Sequence, residues 1–248
     1  SSVSQELKTP LTTIKLLAHV LQQRGLAESE KLDYAQTIAV ECDRQIDFVG
    51  NLLDLSRIES GAYKLRETKV AADDLVRSSV DAERQRAASL GLSLTTDIAP
   101  DLPPLKGDYE ALRRVIRGLI DNAIKYTPEG GHITVSADRA GDALAIAVQD
   151  TGKGIPEADL PHVFEKFYRA GSDGDGFAPS PGTAAPGVGL GLYLAQHIVE
   201  QLNGTISVES KEGGGTTFTV LLPRWSDGGG SSVAEQEENA DVKAVVNS

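Results

Sequence analysis

The first sixty residues carry almost no turn signal, and that constrains the fold more than any other feature of the chain. Leu7, Leu11, Ile14, Leu17, Ala18 and Leu21 recur at three- and four-residue steps, an apolar stripe along one helix. Gly25 and the segment Ala27-Glu28-Ser29-Glu30 break it. A second stripe runs through Leu32, Ala35, Ile38, Val49, Leu52, Leu53 and Ile58 and ends at Gly61, a residue suited to the left-handed position past a helix end. Two long helices with a short link form an antiparallel hairpin. A lone hairpin buries one seam, so its remaining apolar surface needs a partner. A four-helix bundle made by two copies supplies it.

After Gly61 the pattern turns mixed. Strand-like stretches are expected at 63–70, 92–98, 132–138, 143–150, 205–209 and 216–222. Helices are expected at 73–88, 109–126, 160–167 and 190–202. Residues 170–187, rich in Gly, Pro, Ser and Asp, read as a mobile loop. This order predicts an α+β fold, the hairpin followed by an α/β sandwich whose single sheet is covered by helices on one face. The division expected is 1–61 for the hairpin, 65–224 for the sandwich and 225–248 for an acidic, disordered tail. No internal repeat is visible.

The net charge of −12, from 36 acidic and 24 basic residues, argues against a nucleic-acid surface. One cysteine, Cys42, cannot form an internal disulfide, so a reducing, cytoplasmic setting fits, and it reads as a small apolar side chain on a helix. No apolar run is long enough to span a bilayer and no signal peptide is visible. Because the chain is inside a helical pattern within a few residues, it reads as an excised fragment. Any membrane attachment would come through a missing N-terminal region.

Three segments carry candidate chemistry. Asp150-Thr151-Gly152-Lys153-Gly154-Ile155 closes an apolar strand; its glycines let backbone approach a flat ligand, and the carboxylate can accept an adenine amino hydrogen bond. Alone it could equally be a hairpin turn. Gly187-Val188-Gly189-Leu190-Gly191-Leu192 stands at a loop-to-helix junction, where backbone amides suit an anionic phosphate. The long loop before it weakens a dinucleotide-binding reading. Asp121-Asn122-Ala123-Ile124-Lys125-Tyr126 sets residues 122, 125 and 126 on one helix face, where an amide oxygen could hold Mg²⁺ and a lysine could meet phosphate. A solvated helix end with a core tyrosine would read the same way.

Together these segments resemble the ATP-binding domain of the histidine-kinase superfamily, shared more distantly with gyrase, heat-shock ninety chaperones and MutL. The likeness covers about residues 65–223. Asn122 stands in the N box, residues 150–155 in the first glycine box, and Phe164-Glu165-Lys166-Phe167-Tyr168-Arg169 in the F box. Residues 187–192 and 213–218 match the second and third glycine boxes. The resemblance implies ATP and Mg²⁺ as cofactors, with Asn122 on the metal and Lys125 and Arg169 approaching phosphate. Asp150 would read adenine, and Tyr126 would line the site with Gly152, Gly154, Ile155, Lys166, Tyr168 and Thr216. Residues 170–188 would form a lid over the triphosphate. Gly118 departs from the pattern, which usually has a polar residue four positions before the asparagine; its absence could weaken magnesium handling or water activation.

The hairpin adds Ser4-Gln5-Glu6-Leu7-Lys8-Thr9-Pro10-Leu11, which resembles the phosphoacceptor box of dimeric histidine kinases with Gln5 in place of histidine. In such kinases an imidazole nitrogen attacks the γ-phosphate beside an acidic residue, here Glu6. An amide nitrogen is no nucleophile, because its lone pair is delocalised into the carbonyl. His19, His132, His162 and His197 all lack the flanking box. The intact box around Gln5 favours deliberate alteration over drift into a natural pseudokinase. The resemblance also places Thr9 where the family's phosphatase activity uses a polar residue. The implied protein is a homodimer that passes phosphate from ATP to histidine, then to an aspartate on a response-regulator receiver domain. The rivals are a nucleotide-binding regulatory dimer without chemistry and an ATPase clamp; the helical box ahead of the ATP domain argues against the clamp.

Overall fold

The computed structural model describes residues 2–23, 25–168 and 189–226, with the backbone alone for residues 2–6 and 44. The expected loop and lid at 170–188 and most of the expected tail lie outside the described residues. Helix α1 spans Ser2–Leu21 and α2 spans Glu28–Glu59. The link between them ends in a backbone cap, where Ala27 N–H donates to Glu30 Oε2 at 2.9 Å. The second helix stops at Ser60, and Gly61 follows with φ +67°, as its stripe predicts. Pro10 lies inside α1, so no N–H reaches back to the carbonyl of residue 6.

The hairpin buries little by itself. Leu11, Leu16, Leu32, Val40, Ile46, Val49 and Leu53 are exposed, Leu32 and Ile46 by 68% and 69%. Most other apolar members of the two stripes are half-buried, and Cys42 is half-buried on α2.

The sandwich follows as β1 (Thr68–Val70), α3 (Ala72–Ser89), β2 (Ser93–Ile98), β3 (Leu105–Gly107), α4 (Tyr109–Tyr126), β4 (His132–Ala140) and β5 (Ala143–Asp150). It finishes with α5 (Gly191–Gln201), β6 (Thr205–Lys211) and β7 (Gly215–Pro223). Five strands form one sheet in the order β2-β4-β5-β7-β6, parallel only between β2 and β4. β1 and β3 make a separate antiparallel pair. Alternation along the strands sends Ile133, Val135, Leu144, Ile146, Val148, Val220 and Leu222 to one face. There they meet α3, α4 and α5 in one core.

The best-specified helix is α4. Ala111, Leu112, Val115, Ile116, Leu119, Ile120, Ala123 and Ile124 are all buried, a 3.6-residue stripe; full burial of each larger side chain stabilises by about 1.5–3 kcal/mol. Asp108 caps it, with Oδ1 accepting from the N–H groups of Glu110 and Ala111 at 3.1 Å each. Pro128, right after the C-cap Thr127, ends it. This helix carries residue 122 to the sheet's rim.

Two expectations are corrected. The helix read at 160–167 is only a 3-10 turn at Leu160–His162 followed by turns, because Phe167 adopts φ +63° and cannot continue a right-handed helix. The strand read at 63–70 shrinks to its last three residues, paired with a β3 that periodicity did not reveal.

Candidate functional site

An open cavity of about 2450 Å³ lies between the hairpin and the sandwich. Asn122, Lys125, Tyr126, Asp150, Gly154, Ile155, Tyr168, Gly189, Leu190, Gly191, Leu192 and Thr216 border it, and so do Thr9, Pro10 and Thr13 of α1. The geometry thus gathers most of the expected residues around one space that also reaches the helix bearing position 5.

Asp150 ends β5 and is 7% exposed. Its Oδ1 accepts from Gly152 N–H at 2.8 Å and Thr216 N–H at 3.3 Å. Burial pushes this carboxyl above the usual carboxylate range, and the two backbone donors pull it part of the way back. With Oδ1 satisfied, Oδ2 is the atom left to accept from a ligand. Gly154 is held at φ +70° with no room for a side chain, since a Cβ would come within 2.0 Å of the Lys211 carbonyl oxygen. Ile155 N–H donates to Ser210 Oγ, which in turn meets Thr216 Oγ1 at 2.9 Å. These contacts fix the first and third glycine segments against each other.

Phe167 N–H donates to the Gly189 carbonyl at 2.9 Å, which joins the end of the F box to the second glycine segment. Gly189 has φ +71°, and a Cβ there would stand 2.5 Å from the Tyr168 carbonyl. The Tyr168 hydroxyl donates to Asp159 at 2.7 Å, and burial together with that carboxylate pushes its pKa to about 12. Arg169, Gly187 and Val188 lie outside the described residues.

On α4, Asn122 is half-buried and lines the cavity. Lys125 pairs with Asp121 one turn back. Lys153, absent from the expected set, places its ammonium 4.9 Å from the centre of the half-exposed Tyr126 ring. Lys166 does not border the cavity; its ammonium pairs with Glu59 of α2 at 2.6 Å and sits over the Tyr193 ring.

Among the described residues no group of three or more His, Cys, Asp and Glu could hold a metal ion. A cation here would be held mainly by ligand phosphates, with the Asn122 amide oxygen as protein ligand. That fits Mg²⁺, which takes few protein ligands and usually keeps phosphate and water oxygens. Gly118 is open, with nothing within 4 Å of a built Cβ.

No periodicity or motif marks the contact that orients the hairpin on the sandwich. Leu55 of α2 is buried against Leu190 and Leu194, with Leu52, Ile58, Phe167 and Tyr193 packed around them. Beside this cluster Asp54, 8% exposed, pairs with Arg114 of α4, whose other nitrogen donates to Asn51 Oδ1 at 2.6 Å. The end of α2 therefore rests on the same Leu190 that borders the cavity.

A helical hairpin followed by a one-sided sandwich with a glycine-walled cavity matches family models in both of its parts. Residues 107–226 match the family model for histidine kinase-, DNA gyrase B- and HSP90-like ATPases, and residues 1–61 match the His Kinase A (phospho-acceptor) domain. The sensor-like histidine kinase SenX3 of Mycolicibacterium smegmatis is 34% identical over 92% of this chain and 57% of its own length. The sensor protein SphS of Synechococcus elongatus is 37% identical over 90% of the chain and 54% of its own. Together these matches identify the chain as a histidine kinase catalytic core. It spans about half the length of these relatives.

Solved structures agree on the fold. Acinetobacter baumannii histidine kinase AdeS superposes with TM-score 0.64 at 22% identity, over 89% of this chain and 98% of that one. ShkA in complex with AMPPNP gives 0.66 at 23%, over 90% and 45%. Histidine kinase ThkA in complex with response regulator protein TrrA gives 0.64 at 19%, over 90% and 60%.

Proposed function

We propose that the chain is the kinase core of a two-component sensor, built to bind Mg-ATP and to move its γ-phosphoryl group first to position 5 of α1 and then to a response-regulator aspartate. In this reading residues 1–61 dimerise and present the acceptor, residues 65–224 bind nucleotide, and residues 225–248 are a tail. The observation that carries it is the single cavity bordered both by Asp150, Asn122 and Lys125 and by Thr9 and Pro10 of the acceptor box.

The chain's own groups divide the work. Asp150 Oδ2 accepts from the adenine amino group while Oδ1 stays fixed by backbone. Asn122 would hold Mg²⁺, and Lys125 would meet a phosphate oxygen. The N-terminus of α5, behind Gly189 and Gly191, turns backbone N–H groups toward anionic charge. Mg²⁺ supplies charge neutralisation during transfer. Glu6 would assist a nucleophile at position 5, and Thr9 would orient water in removing phosphate from the regulator. The full-length protein would work at the cytoplasmic side, with any membrane attachment supplied outside residues 1–248. The described residues contain no helix long and apolar enough to cross a membrane.

A specific observation favours a second reading for the chain as it stands. Gln5 offers no nucleophile, so this form would bind nucleotide and regulator without autophosphorylating. Incubation with γ-labelled ATP tests both readings. The glutamine form should take up no acid-labile label, and Gln5→His should restore it. Labelling of the glutamine form would mean another acceptor, with His19 the first to examine. No labelling after reversion would make the regulatory dimer the better account and point to Gly118.

A further inference from the structure

Lys125 is the last cation in a chain of alternating charges that joins α3 to α4. Arg117 donates to Glu83 Oε1 at 2.8 Å. Glu83, only 5% exposed, accepts at Oε2 from Arg86 at 3.2 Å. Arg86 in turn donates to Asp121 Oδ1 at 2.8 Å, and the other oxygen of Asp121 takes Lys125. Burial works against the Arg86 charge, but Asp121 and Glu83 raise its pKa further, so it stays a fixed cation. Asp121 is thus gripped from α3 and cannot follow Lys125 away. The pair has the acid four residues before the base, the favourable order on a helix. Asp121 and Lys125 also line the cavity together with Asn122.

Glu83, Arg86 and Asp121 each hold charged partners on two sides, and Arg117 and Lys125 are the two ends of the chain. Lys125 has one charged partner, Asp121, and a flexible four-carbon stem, and it lies within one turn of Asn122 on α4. A phosphate held beside Asn122 therefore competes with Asp121 for the Lys125 ammonium. We infer that Asp121 is a positioning residue of the nucleotide site: it occupies the Lys125 ammonium when no phosphate is present, gives it up to bound nucleotide, and recaptures it as product leaves. This rests on the proposed contact between Lys125 and phosphate. Asp121 sets affinity and release together, because every gain in phosphate contact at Lys125 is offset by loss of the internal pair.

The test is a double-mutant cycle on the full chain, read by calorimetry with Mg-ATP and by stopped-flow release of Mg-ADP. Asp121→Asn should bind Mg-ATP roughly three- to five-fold tighter, the scale of a partly exposed ion pair, and release ADP correspondingly more slowly. In a Lys125→Met background the same change should alter affinity less than about two-fold, since the competition has gone. Asp121→Glu keeps the pair and should return wild-type binding. Weaker binding by Asp121→Asn would overturn the inference, and so would an equal gain with Lys125 absent, which would indicate a general field effect. Thermal unfolding of each variant identifies a merely structural loss. A parent chain that binds no ATP would sink both this inference and the reading beneath it. ATP binding that is indifferent to Asp121→Asn would sink the inference alone.

Discussion

Asp150→Asn separates the stability of the nucleotide pocket from its function. The N–H groups of Gly152 and Thr216 both aim at Oδ1, so they require an oxygen there and would hold the asparagine amide with its oxygen inward. The amide NH₂ then takes the place of Oδ2 and faces the adenine amino group, donor against donor. Losing a hydrogen bond to a charged acceptor costs about 1–3 kcal/mol, which is about 5- to 150-fold in Kd. Folding moves the other way. Burial raises the Asp150 pKa in the native state, so between the ordinary carboxylate value and the raised one the folded chain binds more protons than the unfolded chain. Stability from this residue is therefore present below the ordinary value and is lost as pH rises through the raised one. Asp150→Asn removes that loss, so the variant should melt at or above the parent's Tm at pH 7. Its advantage should close as pH falls toward 4. Calorimetry with ATP and melting curves at both pH values check the two halves. Equal ATP affinity would remove Asp150 from adenine recognition. A variant that melts well below its parent at pH 7 would refute the account of its burial.

Two further outcomes follow from the hairpin. The chain should be dimeric at micromolar concentration by light scattering, and Leu32→Glu with Ile46→Glu, both at exposed apolar positions, should give monomers that still bind ATP. Arg114→Ala should speed backbone hydrogen exchange in residues 52–59, because Asp54 would keep only its 3.4 Å contact with Arg57; unchanged exchange would show that the leucine cluster alone holds the contact.

Legibility followed the periodicity. The range of α4 is that expected from its eight buried positions, and β5 likewise, because alternation and a turn at Gly141-Asp142 mark both its ends. Residues 160–167 misled because Val163, Phe164 and Phe167 have helical spacing. In fact Val163 is buried and Phe164 packs edge-on against Phe218 at 6.3 Å, while Phe167 turns left-handed to meet Gly189. Aromatic spacing reported contacts there, not a helix. β3 was invisible, and β1 was read too long, because three residues are too few for a period to register.

The contact between α2 and the sandwich was illegible for a different reason. Asp54 and Arg114 lie sixty positions apart on two amphipathic helices, and in sequence each reads as an ordinary surface charge. In the same way the pairing of the Lys166 ammonium with Glu59 left no trace in the sequence. Both pairs flank the Leu55, Leu190 and Leu194 cluster, so apolar packing is bracketed by charges on two sides. Leu190 links the two halves: it is 1% exposed, it packs against α2, and it is the N-cap of α5, whose N-terminus borders the cavity. A rigid helix cannot shift at Leu190 without shifting its own first turn. Displacement of the hairpin must therefore either break the leucine cluster or move the backbone groups that border the cavity. The residues that join the two halves are for that reason as much a part of the site's geometry as those that line it.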